Sequence, residues 1–86
     1  QALILNQSLL KAKKAYLQGE KDTNKLIQLI TDTITSKPLA KIDYVSIYAY
    51  PSLQEINKIE SSAIIAVAVH FGKTRLIDNI ILEYSK

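Results

Sequence analysis

The spacing of apolar residues changes once along this 86-residue chain, and that change limits the folds available to it. Up to residue 34, apolar side chains recur at helical spacing, whereas from residue 41 they alternate from one position to the next. Helical spacing indicates amphipathic helices and alternation indicates strands. Helices that precede a run of strands are typical of an α+β domain.

Two amphipathic helices are predicted in the first part of the chain. The first carries an apolar stripe over residues 2–16 and ends near Gly19, because glycine accepts the left-handed conformation just past a helix. The second begins after a cap at Asp22 or Thr23 and stops at Pro38, which cannot continue a helix. The edge of the first stripe carries three leucines, Leu3, Leu10 and Leu17. Because the connection is short, the helices should form an antiparallel hairpin.

Three strands are predicted in the second part. Residues 63–69 form a continuous apolar run rich in β-branched side chains, which indicates a central strand buried on both faces. Gly72 favours a tight turn into a last strand over residues 75–84. The first strand covers residues 41–50 and alternates. One of its faces is predicted to carry Asp43, Val45, Ile47 and Ala49, and the other Ile42, Tyr44, Ser46, Tyr48 and Tyr50.

Between the first two strands, Ser52 followed by Glu55 has the form of a capping box and predicts a short helical turn. The predicted fold is therefore α+β. An N-terminal helical hairpin packs on a three-stranded, mainly antiparallel sheet in a single domain of residues 1–86.

Both faces of this sheet are apolar, which two helices cannot easily cover. On the last strand, for example, Ile77 and Ile81 oppose Leu76 and Ile80. A contiguous exposed apolar area usually marks an interaction surface. The alternatives are that the helices straddle the sheet, or that scattered isoleucines stay exposed as they often do.

The net charge of +3 is unevenly placed and comes from the helical part. Lys11, Lys13 and Lys14 could contact the phosphates of a nucleic acid. No recognition motif or aromatic platform accompanies them, so a solvated helix face is the better interpretation.

The absence of cysteine favours a reducing compartment. No apolar run approaches the roughly 20 residues that cross a bilayer, so no membrane span is predicted.

Few residues of this chain are candidates for a catalytic or binding role. His70 is the single histidine, and Asp78 on the adjoining strand is the one tempting partner for it. A histidine at a strand end is more often a packing or turn contact. Structural hydrogen bonds or ion pairs are expected for the polar residues embedded in strands, which are Asp43 with Tyr44 and Arg75 with Asp78 and Asn79. Anion binding by Arg75 is the weaker alternative. We predict no catalytic residue and no metal ligand in this chain, and its nucleotide contacts stay unknown.

The segment Gly72–Ile80, with the sequence GKTRLIDNI, resembles the carboxy-terminal signature of the pantothenate synthetase (pantoate-β-alanine ligase) family. Leu9–Glu20 resembles that family's helix ending in Gly-Glu, Ile42–Val45 its first small-domain strand, and Leu53 a leucine after that strand. The likeness spans essentially the whole chain. It departs at 49–51, an Ala-Tyr-Pro segment where an acidic residue is expected.

The resemblance implies a two-domain, AMP-forming ligase that uses ATP and Mg²⁺ to condense pantoate with β-alanine through a pantoyl adenylate. This chain resembles the small C-terminal domain, which closes over the nucleotide site as a lid. The family's HIGH-type histidine motif and its Ser-Ser-Arg-Asn segment have no matching positions here. The chain alone should therefore be inactive and bind neither ATP nor Mg²⁺.

The partner that the resemblance implies is a missing N-terminal adenylating domain, with the chain cut from a longer protein. The parent is expected in the cytoplasm as a homodimer formed through the other domain, with no membrane or nucleic-acid partner. The alternative is a free-standing interaction or nucleic-acid-binding module, supported by net charge and small size.

Overall fold

The computed structural model describes residues 2–83, in which two helices precede one three-stranded antiparallel sheet. The elements are α1 (Ala2–Leu17), α2 (Thr23–Thr35), β1 (Ala40–Ala49), β2 (Ala63–Phe71) and β3 (Thr74–Leu82). This order confirms the predicted α+β fold. The predicted last strand extends to Tyr84, which lies outside the described residues.

Local capping fixes the connection between the helices. Past the end of α1, Gly19 has φ of +110°, and its N–H donates to the carbonyl of Tyr16 at 3.0 Å. The N–H of Glu20 donates to the carbonyl of Ala15 at 3.0 Å, and the two hydrogen bonds together form a Schellman motif. At the start of α2, the carboxylate of Asp22 accepts a 2.9 Å hydrogen bond from the N–H of Asn24. Of the two predicted caps, Asp22 is therefore the one that forms.

The strand predicted to be central lies in the middle of the sheet, in the order β1-β2-β3, and pairs antiparallel with both neighbours. Phe71 pairs with Thr74, which leaves a two-residue turn between β2 and β3. Gly72 is the first residue of that turn and has φ of +60°, where an L side chain would be strained. Glycine at this position is typical of a type II′ hairpin.

Both helices pack on the same face of the sheet, which we call the covered face. Buried residues of β2 on this face are Ala63, Ile65, Val67, Val69 and Phe71. The helices bury Ile4, Leu5, Leu9, Ala12, Tyr16, Leu26, Ile30 and Ile34 in the same core cluster. Because α1 contacts β3 and α2 contacts β1, the helices lie side by side and do not straddle the sheet.

A bulge near the start of β1 changes which of its side chains face the helices. Ile42 and Tyr44 pair with successive residues of β2, so Asp43 is an extra residue between them. One extra residue shifts the alternation by one position. The prediction that Asp43 shares a face with Val45 is therefore wrong. Ile42 packs against the core, whereas Asp43 makes its contacts on the opposite face.

Residues 50–62, which connect β1 to β2, contain no assigned helix, so the predicted helical turn is not found. Leu53 has φ of +61°, and this left-handed conformation does not continue a right-handed turn. Glu55, the second member of the predicted capping box, instead forms an isolated bridge with Tyr48. Backbone pairing with β1 thus replaces the local capping interaction.

The same loop is attached to the helical layer. The hydroxyl of buried Thr23 donates a 3.1 Å hydrogen bond to the carbonyl of Ile56. The N–H of Ile59 donates to the carbonyl of Lys21 at 2.8 Å, and its side chain is buried in the core. These contacts hold the loop at the start of α2, on the covered side of the sheet.

Candidate functional site

The face of the sheet opposite the helices is the candidate functional surface, and we call it the open face. Its side chains form three cross-strand rows, which are Tyr48, Ile64 and Ile81; Ser46, Ala66 and Asn79; and Tyr44, Ala68 and Ile77. Ile77 is 57% exposed, Ile81 40% and Tyr44 37%. No element within residues 2–83 covers these rows, so the sheet presents apolar side chains to solvent.

An ion pair lies at the end of the open face next to the β2–β3 turn. Arg75 on β3 contacts Oδ2 of Asp43 on β1, from Nε at 3.0 Å and from Nη2 at 2.9 Å. The two side chains meet over His70 of β2, and Nε2 of His70 lies 3.8 Å from Oδ2 of Asp43. All three side chains are partly exposed, so the pair contributes only about 0–1 kcal/mol to stability. Its clearer effect is to hold the guanidinium in one position.

The strand register decides which predicted partners meet. His70 pairs directly with Arg75, whereas Asp78 pairs with a residue of the covered face. The carboxylate beside His70 therefore belongs to Asp43, whereas Asp78, the partner considered from the sequence, lies on the other face. The structural ion pair expected for Arg75 is confirmed, with a partner 32 positions away in sequence. The alternation of side chains along a strand could have excluded Asp78 as a partner of His70. Arg75 lies beside His70, and residues 75 and 78 point to opposite faces of β3.

The geometry of this cluster does not form a catalytic acid–base unit. The 3.8 Å separation of His70 Nε2 and Asp43 Oδ2 exceeds hydrogen-bond length, so the carboxylate does not orient the imidazole. Among residues 2–83, no group of three or more His, Cys, Asp or Glu side chains could hold a metal ion. One guanidinium, one imidazole and one carboxylate beside an apolar surface suit recognition of another surface.

A second exposed apolar surface lies on α1 and consists of Leu3, Leu10 and Leu17, which we call the leucine stripe. These side chains are 66%, 52% and 66% exposed, and their spacing of seven residues aligns them along the helix. Exposed lysines surround Leu10, in agreement with the predicted solvated face; they are Lys11, Lys13 and Lys14. Neither helix of the described part is long and apolar enough to cross a membrane.

Near the start of α1, a surface cleft of about 400 Å³ separates the helix from the α2–β1 connection. Its lining residues include Leu3, Ile4, Pro38, Leu39 and Phe71. Phe71 precedes the β2–β3 turn, so the first turn of α1 lies at the end of the sheet that also carries the Asp43–Arg75 pair.

The class of protein follows from the sequence match. The chain matches the family model described as pantoate-beta-alanine ligase over residues 1–81. It therefore belongs to this family of ligases.

The curated relatives are pantothenate synthetases, and the chain corresponds to the C-terminal part of that enzyme. It is 52% identical over 81 residues to pantothenate synthetase of Pelotomaculum thermopropionicum and 51% identical over 82 residues to that of Enterococcus faecalis. A third relative, from Clostridium botulinum strain Loch Maree, is 55% identical over 78 residues. The alignments cover 91–95% of this chain but only 28–29% of each relative.

Solved structures agree on the fold. Two crystal structures of pantothenate synthetase from Thermus thermophilus match with TM-scores of 0.82 and 0.83, over 94% of this chain and 29% of theirs. At 23% sequence identity, these matches show a shared fold and nothing finer.

Two of the segments that carry the sequence resemblance meet on the open face. Asp43 lies in the first-strand segment Ile42–Val45, and Arg75 lies in the closing segment Gly72–Ile80. Their 2.9 Å contact joins the two outer strands across β2. These two segments are therefore in contact at one end of the uncovered surface.

Proposed function

We propose that this chain is the C-terminal lid domain of an ATP-dependent pantoate-β-alanine ligase. The observation that carries the proposal is the family match over residues 1–81, combined with relatives named pantothenate synthetase of which the chain spans 28–29%. In this proposal an N-terminal adenylating domain completes the enzyme, which works in the cytoplasm as a homodimer formed through that other domain.

The proposed reaction has two steps. A carboxylate oxygen of pantoate attacks the α-phosphorus of ATP, forming pantoyl adenylate and releasing pyrophosphate. The amine of β-alanine then attacks the acyl carbon, loses a proton and displaces AMP to give pantothenate. In this proposal the other domain binds the Mg²⁺ and the nucleotide, and no catalytic residue is assigned to this one.

A lid has a clear physical purpose in this chemistry. An acyl adenylate is readily hydrolysed, and closure of a cover excludes water and keeps the intermediate for the amine. The chain offers a rigid sheet with one apolar face available, because its helices occupy the other. Its contribution to the reaction would be to exclude water and complete the enclosure.

Two proteins test the proposal. The first is the isolated chain, which should release no pyrophosphate from ATP when pantoate is added. The second, which we call the chimaera, is Enterococcus faecalis pantothenate synthetase in which the matched segment is replaced by this chain. We expect it to form pantothenate at least about 100-fold faster than the same enzyme lacking that segment, the scale of effect that positioning and enclosure provide.

Two outcomes would contradict the proposal. One is pantoate-dependent pyrophosphate release by the isolated chain, and the other is a chimaera no faster than the truncated enzyme. A salt-dependent complex of the isolated chain with generic RNA or DNA would instead favour a nucleic-acid-binding module.

A further inference from the structure

We infer that Lys41, His70 and Arg75 together bind a diphosphate group, and we call these three residues the basic row. The inference rests on the proposed function for the source of the ligand, because the proposed reaction consumes ATP and releases pyrophosphate. It gives this chain a phosphate contact of its own, in addition to those of the other domain. The resemblance alone implied no ATP binding by the isolated chain, and the contact follows instead from the register of the sheet.

The strand register places the three residues side by side at one end of the open face. Lys41 pairs with His70, and His70 pairs with Arg75, so they form one row across all three strands. Ile42 packs against the core, which leaves Lys41 on the open face. Neighbouring strands lie about 4.8 Å apart, so the two outer backbones are separated by about 10 Å. Long side chains at the two ends of the row can therefore reach the same ligand.

The row carries more positive charge than the carboxylate beside it neutralises. Within the described residues, Asp43 is the one carboxylate in contact with the row, and it binds Arg75. Lys41 is exposed and makes no ion pair in the described part of the chain. Lys73 adds another cation in the turn between His70 and Arg75. This end of the sheet therefore has a net positive charge, which favours an anionic ligand.

Asp43 holds Arg75 in an orientation that suits a phosphate. Its carboxylate contacts Nε and Nη2 of the guanidinium at 3.0 Å and 2.9 Å. No other residue within 2–83 accepts a hydrogen bond from this group, so the edge formed by Nη1 and Nη2 keeps donors for a second oxoanion. Arginine often binds phosphate through two parallel hydrogen bonds from one such edge. The bulge that supplies Asp43 is a feature found often beside active sites, where it redirects a side chain.

A diphosphate fits the basic row better than a single phosphate does. Its oxygens are spread over two phosphorus atoms, so the guanidinium and the ammonium group can each contact a different phosphate. Lysine binds phosphate as a point charge, and an imidazole N–H between the two outer groups can donate to either phosphate. Because all three side chains are at least partly exposed, binding should weaken as salt is added.

Protection of the sheet edges is a competing explanation for these charges. Charged side chains on edge strands prevent two sheets from pairing edge to edge. That role suits Lys41 on β1 and Arg75 on β3, but His70 lies on the central strand. A competing anion site is the group of lysines on α1, which attract anions by charge alone; they are Lys11, Lys13 and Lys14.

The test uses the single histidine of the chain as its probe. Proton NMR follows the ring signals of His70 in the isolated chain while inorganic pyrophosphate is added at constant pH and ionic strength. We expect a saturable shift. AMP, which carries one phosphate, should bind at least about fivefold more weakly, and ATP should bind within about twofold of pyrophosphate.

Two substitutions that each remove one positive charge form the matched comparison. Lys41→Gln changes the basic row and Lys13→Gln changes α1; both positions are exposed, and neither residue contacts the Asp43–Arg75 pair. We expect Lys41→Gln to weaken pyrophosphate binding at least about fivefold and Lys13→Gln less than about twofold. Arg75→Lys keeps the charge but loses the two-pronged donor edge, and should weaken binding at least about threefold. Circular dichroism checks that each variant is folded.

The chimaera identifies the source of the diphosphate. A higher KM for ATP in the chimaera with Lys41→Gln would assign the row to the phosphates of the bound nucleotide. A higher inhibition constant for pyrophosphate, with the KM for ATP unchanged, would assign the row to the released product.

Four outcomes would overturn the inference. They are the absence of a saturable shift at His70, equal binding of AMP and pyrophosphate, an equal loss of binding in Lys13→Gln and Lys41→Gln, and an active chimaera in which Lys41→Gln changes neither constant. The last would leave the proposed function intact. A chimaera no faster than the truncated enzyme, together with saturable binding by the isolated chain, would contradict the proposed function but support the basic row.

Discussion

Ile64 and Ile65 are neighbours on β2, yet they belong to different regions of the molecule. Ile65 points to the covered face and is fully buried against the helices, whereas Ile64 points to the open face and is partly exposed. Both faces use the same residue types and share one backbone. The difference between them comes from the helices, which contact one side of the sheet only. Apolar character alone therefore does not show which face stabilises the fold and which is available to a partner.

Truncation on the covered face should have the largest effect on stability. Ile65→Ala removes a fully buried side chain and should lower the free energy of unfolding by about 2–5 kcal/mol. Urea unfolding of the isolated chain measures this change. Ile64→Ala is the matched control on the other face and should cost clearly less. Equal losses would mean that the two faces do not differ as described.

The covered face depends on the helices, so loss of a helix cap should come next in size. Asp22→Ala removes the acceptor for the N–H of Asn24 and should cost about 1 kcal/mol. Asp32→Ala is the control on the same helix, where the aspartate contacts Gln28 at the surface, and should cost at most about 0.5 kcal/mol. A larger loss for the control in thermal unfolding would refute the assignment of the cap.

The ion pair of the open face should contribute less again. A double-mutant cycle with Asp43→Ala and Arg75→Ala should give a coupling energy below about 1 kcal/mol in the isolated chain, since the pair is partly exposed. The coupling should fall at roughly 0.5 M salt because solvent-exposed charges are screened. A coupling that salt leaves unchanged would indicate that the pair is shielded from solvent in the isolated chain.

Substitution on the open face should have the smallest effect on the isolated chain. Ile77→Thr keeps a β-branched side chain in the strand and should change the free energy of unfolding by less than about 0.5 kcal/mol. Chemical denaturation followed by circular dichroism measures it. A loss comparable with that of Ile65→Ala would show that this surface is part of the folding core.

Much of the fold could be predicted because its signals are local. The helix stripes, the glycine after α1 and the cap at Asp22 all act within one or two helical turns. Gly72 likewise fixes the β2–β3 hairpin within the turn itself. The closing segment that carries the family resemblance was also readable directly, since it is contiguous in sequence.

The features that sequence reasoning missed depend on contacts between distant segments. The bulge at Asp43 has no turn residue to mark it, and it exchanges the faces of Ile42 and Asp43. The capping-box pattern at Ser52 was locally reasonable, but Glu55 pairs with β1 instead. The partner of Arg75 depends on the register of all three strands, which no local sequence pattern specifies.

The most direct test of the account measures pantothenate formation by the chimaera carrying a charge on one surface or the other. Ile77→Glu should lower kcat/KM at least about tenfold, equivalent to about 1.4 kcal/mol, because it places a carboxylate on the apolar face of the proposed lid. Leu10→Glu, on the leucine stripe, should stay within about twofold of the unsubstituted chimaera. Equal rates for the two variants, with both folded by circular dichroism, would contradict the claim that one face of this sheet builds the domain and the other closes the enzyme.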